Sequence, residues 1–381
     1  MAASARSWLG ALAVLGACHA APAPGTPSAG DDDLAGLYDA ASEHAQRGDR
    51  DGALALLERL DARGWSFGPT DRDLPGLAEL PRYRALSARM KARGPKVLRA
   101  TPAMTIADPA LAPEGIAYDD DRGAVFVGSM AQHKIVRIDP AGAPRDFATH
   151  DSGLDAVLGL RVDAAHHLLW AASTVMAGLA ASGAEGAALF AFDLETGELR
   201  GRWPVPGSGG AHLLNDVAIA PDGTAYVTDT AAGAVWRHAP AALGLSVMVQ
   251  AGGLRYPNGI ACDATHVLVA HARGVAVITP ATGARVELAV PAGATLAGLD
   301  GLYLDGDALL GIQNGLGSAR VVRAELDATH TRATRIRVLE SAHPALDMPT
   351  TAALVRRERR LLVLVPGDPQ LPIVLSVPID P

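Results

Sequence analysis

EGIAYDDDRGAVFVGS, residues 114–129, is a short apolar strand, a polar turn and a second apolar strand. The same pattern returns as LGLRVDAAHHLLWAAS (158–173), NDVAIAPDGTAYVTDT (215–230), NGIACDATHVLVAHA (258–272) and DGLYLDGDALLGIQN (300–314). A worn sixth copy, TTAALVRRERRLLVLV, occupies 350–365. The copies start 42 to 57 residues apart, the spacing of propeller blades. Most add a third strand, near 134–138, 234–237 or 275–278. A β-sandwich also has many short strands, but not one four-strand unit six times over. The reading is an all-β, six-bladed β-propeller over residues 100–381, preceded by a small α-helical segment.

Composition agrees. Apolar residues are 49% and charged residues 19% of the 381, which excludes a largely disordered chain. No apolar run reaches the ~20 residues of a membrane-spanning helix. The net charge is −8, and the only lysines are Lys91, Lys96 and Lys134. That balance argues against nucleic acid or an anionic membrane as partner, since both need a concentrated basic face. Two cysteines cannot make a disulfide framework or a structural zinc site.

Residues 1–17 read as an export signal: Arg6, then the apolar stretch WLGALAVLGA. Leu15-Gly16-Ala17-Cys18 resembles a bacterial lipobox, which would make Cys18 the lipidated first residue of an envelope-anchored or periplasmic protein. An ordinary secretory signal cut at Ala20 or Ala21 is the alternative. Residues 18–33, rich in Pro, Ala, Gly and Asp, read as a disordered linker. Helical period is sustained only over 34–95, where GDRDGALALLERLDARGW resembles a tetratricopeptide helix pair. A third helix is expected over Pro81–Arg93. One such unit cannot build a binding solenoid, so a cap packed on the propeller is preferred to a module that binds a protein partner. Cys262, within an apolar run, reads as a buried small hydrophobe.

In a propeller the residues that open each innermost strand converge on the channel mouth. That column reads Glu114, Leu158, Asn215, Asn258, Asp300, Thr350. Four of the six are hard oxygen donors, and two carboxylates neutralise one divalent cation. Such a ring suits Ca²⁺, and Mg²⁺ less well. The column has no Cys or His, which speaks against zinc or copper as the preferred ion; Mg²⁺, Mn²⁺ or Zn²⁺ are substitutes. The competing account is that Asn-Gly, Asp-Gly and Asn-Asp are common turn-formers. Asp222-Gly223 and Asp305-Gly306, between first and second strands, are turns of that kind.

PEGIAYD at 113, NDVAIAPDGTAYVTDT, YPNGIACD at 256 and LDGLYLDGDALLGIQNG at 299 resemble the gluconolactonase and regucalcin (senescence marker protein) group of propellers. Its relatives include diisopropylfluorophosphatase and, more distantly, paraoxonases. The likeness runs over about residues 100–330 and weakens in the last blade. It implies a divalent cation, usually calcium, at the top of the channel. Glu114 then matches the family's glutamate, Asn258 its Asn-Gly asparagine and Asp300 its aspartate. Asn215 matches the asparagine that joins the metal or touches substrate. Leu158 departs from the pattern.

The expected function is a metal-dependent hydrolase of a small-molecule lactone or ester. The cation would act as Lewis acid and Asp300 as general base; direct attack by Asp300 is the alternative the resemblance allows. Loops between second and third strands should face the metal and supply substrate contacts: Ser129, His133, Thr174, Asp229, His271, Gln313 and Asn314. His212 should lie near the mouth. The rival reading is a non-catalytic propeller binding a small ligand or protein at the cell envelope, favoured by the helical appendage and by the lack of a Gly-x-Ser-x-Gly element.

Overall fold

The alternating apolar strands and Gly/Asp turns form six antiparallel four-stranded sheets in a computed structural model that describes residues 33–140, 142–180, 183, 186–207, 210–367 and 371–380. The expected export signal, the candidate lipidation residue Cys18 and all of the expected linker except Asp33 lie outside the described residues. The innermost strands are β2 (Pro113–Asp119), β6 (Ala156–Asp163), β10 (Leu214–Ile219), β14 (Ile260–Cys262), β18 (Leu299–Asp305) and β22 (Ala352–Val355). Each is buried along most of its length, because neighbouring blades cover both of its faces.

The ring closes with a strand from outside the last repeat. β1 (Thr101–Thr105) pairs antiparallel with β24 (Ile373–Pro378), Thr101 opposite Ser376 and Thr105 opposite Ile373. The final sheet therefore joins both ends of the propeller sequence, which satisfies the ladder groups of β24. Between blades the packing uses mostly Ala, Val and Leu. One aromatic cluster, Phe126, Phe147, Phe190 and Phe192, fills the first interface. Cys262 is partly buried against an apolar cluster, and burial pushes its thiol up to about 12.

Four inner strands carry a register shift at the same point, between Pro113 and Ile116, Val157 and Leu160, Leu214 and Val217, and Leu299 and Leu302. Glu114-Gly115, Leu158-Gly159, Asn215-Asp216 and Asp300-Gly301 sit in these β-bulges, which re-aim side chains and break the pairing locally. The dipeptides are thus not hairpin turns. Their glycines answer to the neighbouring blade: a Cβ on Gly115 would lie 1.7 Å from the Leu158 carbonyl oxygen, and one on Gly159 2.5 Å from that of Asn215.

The helical segment has α1 (Leu34–Gln46), α2 (Arg50–Ala62) and α3 (Pro81–Arg93). Asp33 and Asp49 cap the first two, each accepting a backbone N–H at 2.9 Å. Their apolar faces, with Tyr38, Leu57, Trp65 and Met90, close over Ala297 and Leu316 of the fifth blade in one core. Gly68 and Ser318 exchange two hydrogen bonds, Gly68 N–H to Ser318 Oγ (2.9 Å) and Ser318 N–H to Gly68 O (2.7 Å). Arg320 stacks 3.6 Å from the centre of the Phe67 ring and donates to Ser66 O. Inside the cap the Tyr38 hydroxyl donates to Asp73 Oδ2 at 2.8 Å, both side chains being buried. Tyr38→Phe is expected to destabilise the cap by about 1–3 kcal/mol, since it leaves a buried carboxylate oxygen short of a donor. Amide exchange should quicken in α1 and leave the blades unchanged; uniform exchange throughout would contradict a locally held cap.

Candidate metal centre at the hub

Glu114, Asn215, Asn258 and Asp300 come from four blades and line one narrow space on the axis, with Leu158, Gly159, Asp216, Gly301 and Thr351. Its volume is about 10 Å³, room for about one water-sized particle. Glu114, Asn258 and Asp300 also line the cavity above it, of about 100 Å³.

The amide orientations follow from the network. The Thr230 hydroxyl donates to the carbonyl of Pro257 (2.6 Å), so it can only accept from Asn215, at 3.0 Å. That reserves Asn215 Nδ2 for Thr230 and leaves the side-chain oxygen for the channel. Asn314 Nδ2 donates to Asp300 Oδ2 (2.7 Å) and to the Pro349 carbonyl (2.8 Å), which holds Asp300 in place. Thr350 donates to the Glu114 backbone carbonyl at 3.2 Å and ties the last blade to the first.

Electrostatically the group is incomplete. Glu114 is buried and its Oε2 has no hydrogen-bond partner. Burial, then the nearby Asp300 carboxylate, push its pKa well above the ordinary range. Asp300 is raised to about 7 by burial, with Asp216 adding repulsion against the opposing hydrogen bonds from Asn314 and Asn258. Two carboxylates, the Asn215 amide oxygen and the Asn258 side chain around a one-particle space, with one carboxylate oxygen unpartnered among the described residues, fit a hard divalent cation.

Sequence reading missed the channel floor. Asp216 stands where four of the other blades have glycine after the column residue, and that departure within the repeat was its signal. Its Oδ1 accepts from Val217 N (2.8 Å) and its Oδ2 from Ile260 N (3.1 Å), with Arg161 Nη2 at 3.5 Å. With both oxygens so engaged, Asp216 stitches the third blade to the fourth and is not offered as a ligand. Burial raises its pKa, Arg161 opposing.

The cap's position was also not legible. Asp39, Arg72 and Asp73 of the helical segment line the upper cavity beside Asp300 and Asn314. Arg72 Nε donates to Asp73 Oδ1 at 3.2 Å, and its charge favours ionised Asp300. The cap covers the mouth and forms part of the site.

Of the eight expected substrate contacts, His271 and Asn314 line that cavity. The other six do not; for all but His133 the polar atoms make hydrogen bonds within the loops and strands around them. Buried Ser129 donates to Leu111 O and accepts from Gln132 N (2.9 Å). Thr174 donates to His212 O (2.9 Å). His212 Nδ1 lies 2.6 Å from Asp229 Oδ2, and Asp229 also accepts from Leu213 N (3.0 Å) and Trp236 Nε1 (3.1 Å). Gln313 donates to the carbonyls of Thr295 (3.2 Å) and Ala297 (2.7 Å). His133 Nδ1 lies 3.5 Å from Asp155 Oδ1. Around Leu158 the rim is apolar, closed by Met130 and Met176.

In sequence the chain matches no protein-family model and no curated protein. Among solved structures it is similar to a gluconolactonase from Xanthomonas campestris (TM-score 0.51, 17% identity, 75% of this chain and 98% of that one). It is also similar to the PQQ-bound aldose sugar dehydrogenase of Streptomyces coelicolor (TM-score 0.50, 15% identity, 73% of this chain and 98% of that one). At these identities the likeness is one of fold: a six-bladed propeller whose structural neighbours include gluconolactonase-family structures.

Proposed function

We propose that this chain is a divalent-cation-dependent hydrolase of lactones or related esters, with Ca²⁺ the cation its donors suit best. The supporting observation is the buried, unpartnered Glu114 oxygen beside Asp300, where Asn215 and Asn258 converge. Glu114, Asn215, Asn258 and Asp300 would hold the ion, which when bound supplies Lewis acidity toward the substrate carbonyl.

The remaining steps belong to the chain's own groups. Asp300, oriented by Asn314, accepts a proton from water as the water oxygen bonds to the carbonyl carbon. The acyl C–O bond then breaks, and the leaving alkoxide takes that proton back from Asp300, giving the hydroxy acid from a lactone or the acid and alcohol from an ester. Asp39, Arg72 and His271 line the space above. A cavity of about 100 Å³ restricts the reacting part of the substrate to a small acyl or lactone group unless the cap moves. That narrow, capped mouth favours the second reading, a ligand-binding propeller without turnover. The export signal in residues 1–17 supports a location outside the cytoplasmic membrane, with Cys18 the candidate lipid anchor.

The test is a panel of lactones and aryl esters assayed with the full chain, with Ca²⁺ and with chelator. Turnover that the chelator abolishes and Ca²⁺ restores is the expected result. Turnover indifferent to chelator removes the cation from the reaction. Cation binding, read as a raised melting temperature, without hydrolysis of any member supports the binding reading.

A further inference from the structure

The innermost strands run away from the hub mouth, so the turns that follow them lie on the opposite face. There Asp263 and His266, between β14 and the strand Val267–His271, meet His330, between Arg320–Leu326 and Ala333–Glu340. Ligand atoms of the three residues all fall within 4.8 Å of one another. We propose that Asp263, His266 and His330 form a second metal site, for Zn²⁺, that staples the fourth blade to the fifth.

The orientation of His330 carries the argument. The residue is only 12% exposed, and its Nδ1 lies 2.9 Å from Asp263 Oδ2. Yet that nitrogen is buried and makes no hydrogen bond, so the approach lacks hydrogen-bond alignment. A nitrogen aimed at a shared ion behaves this way, its lone pair pointing to the centre and not at its neighbour. Zn–N and Zn–O bonds of ~2.0–2.1 Å at tetrahedral angles put adjacent donors about 3.3 Å apart. The His330 Nδ1 to Asp263 Oδ2 separation here is 2.9 Å; His266 Nδ1 lies 3.3 Å from the same oxygen and 3.0 Å from Thr265 Oγ1, both within hydrogen-bond geometry, so it must give up these contacts to bind the ion.

The surrounding contacts fit the same account. His330 Nε2 lies 3.2 Å from Asp307 Oδ1, and a ring N–H given to a carboxylate leaves the other nitrogen bare for a metal. Asp263 Oδ1 accepts from Thr265 N (2.6 Å) and His266 N (2.7 Å), which turns Oδ2 toward the histidines. Two imidazoles and one carboxylate, with a position left for water, select Zn²⁺ and its borderline neighbours over Ca²⁺, which takes oxygen donors. The rival is a plain ion-pair network with His330 protonated between Asp263 and Asp307.

The experiment titrates Zn²⁺ calorimetrically into the full chain in excess Ca²⁺, which keeps the hub occupied, and records the visible spectrum with Co²⁺ as substitute. One equivalent of Zn²⁺ and a tetrahedral Co²⁺ spectrum are expected, both lost in His330→Gln and both retained in Glu114→Gln. Asp307 is exposed, so Asp307→Asn should fold and melt as the parent does without Zn²⁺, yet bind it about 10- to 100-fold more weakly. No Zn²⁺ heat above the Ca²⁺-saturated baseline, or heat unchanged in His330→Gln, overturns the site and leaves the ion-pair network.

Discussion

Asp300→Asn is expected to lower chelator-sensitive hydrolysis by about 10²- to 10⁴-fold, the range of a lost general base, in a protein that folds as before. The amide is nearly isosteric and can still accept the Asn314 N–H that now reaches Asp300 Oδ2. Without a cation the variant should be at least as stable as the parent. In the parent, burial and the neighbouring Asp216 oppose ionisation of Asp300, and an amide carries no such penalty. The cation response should move the other way, since the remaining donor set holds one carboxylate instead of two. The measurements are turnover on the best substrate of the panel and the melting temperature with and without Ca²⁺. Wild-type turnover in a folded Asp300→Asn protein would remove this residue from the chemistry.

The largest expected loss of stability comes from a single methyl group. In Gly115→Ala the new Cβ would stand 1.7 Å from the Leu158 carbonyl oxygen, well under half the separation of two bonded-strand neighbours and far inside van der Waals contact. Backbone cannot rotate aside as a side chain can, so the second blade's inner strand must shift by more than 1 Å or the hub must open. A cost of about 3 kcal/mol or more is expected from such overpacking. Gly306→Ala is the control: that glycine lies in the turn between the first and second strands of its blade, with φ +59° and nothing within 4 Å of an added Cβ, so only backbone strain of about 1 kcal/mol applies. Urea unfolding of the two variants compares them directly. Equal midpoints would mean that the blades do not need their close approach at the hub.

Gly115 also explains why the column was legible. The Glu114-Gly115, Asn258-Gly259 and Asp300-Gly301 pairs recur because each of these blades brings its backbone against the next blade at one point, beside the axial space their polar residues line. That constraint repeats, so it leaves a periodic mark in the chain. The turn account of the same dipeptides fails because turn propensity and close approach both select glycine, and only the pairing register separates them.

The loop residues behaved differently. Ser129, Thr174, Asp229 and Gln313, expected on loops after second strands, are the last residues of those strands, and each makes hydrogen bonds to backbone groups that must be satisfied locally. A polar residue on the correct loop can hold that loop or face the ligand, and its identity does not say which.

Blade number, the convergence of Glu114, Asn215, Asn258 and Asp300 on one axial space and the helical period were therefore determined by the sequence alone, because each follows from a local pattern repeated along the chain. Which loop groups face the cavity, that Arg72 and Asp73 hang over Asp300, and that Asp263 meets His330 were decided only by tertiary structure. Those contacts join segments with no shared period, and only the packing of one blade or helix on another sets them.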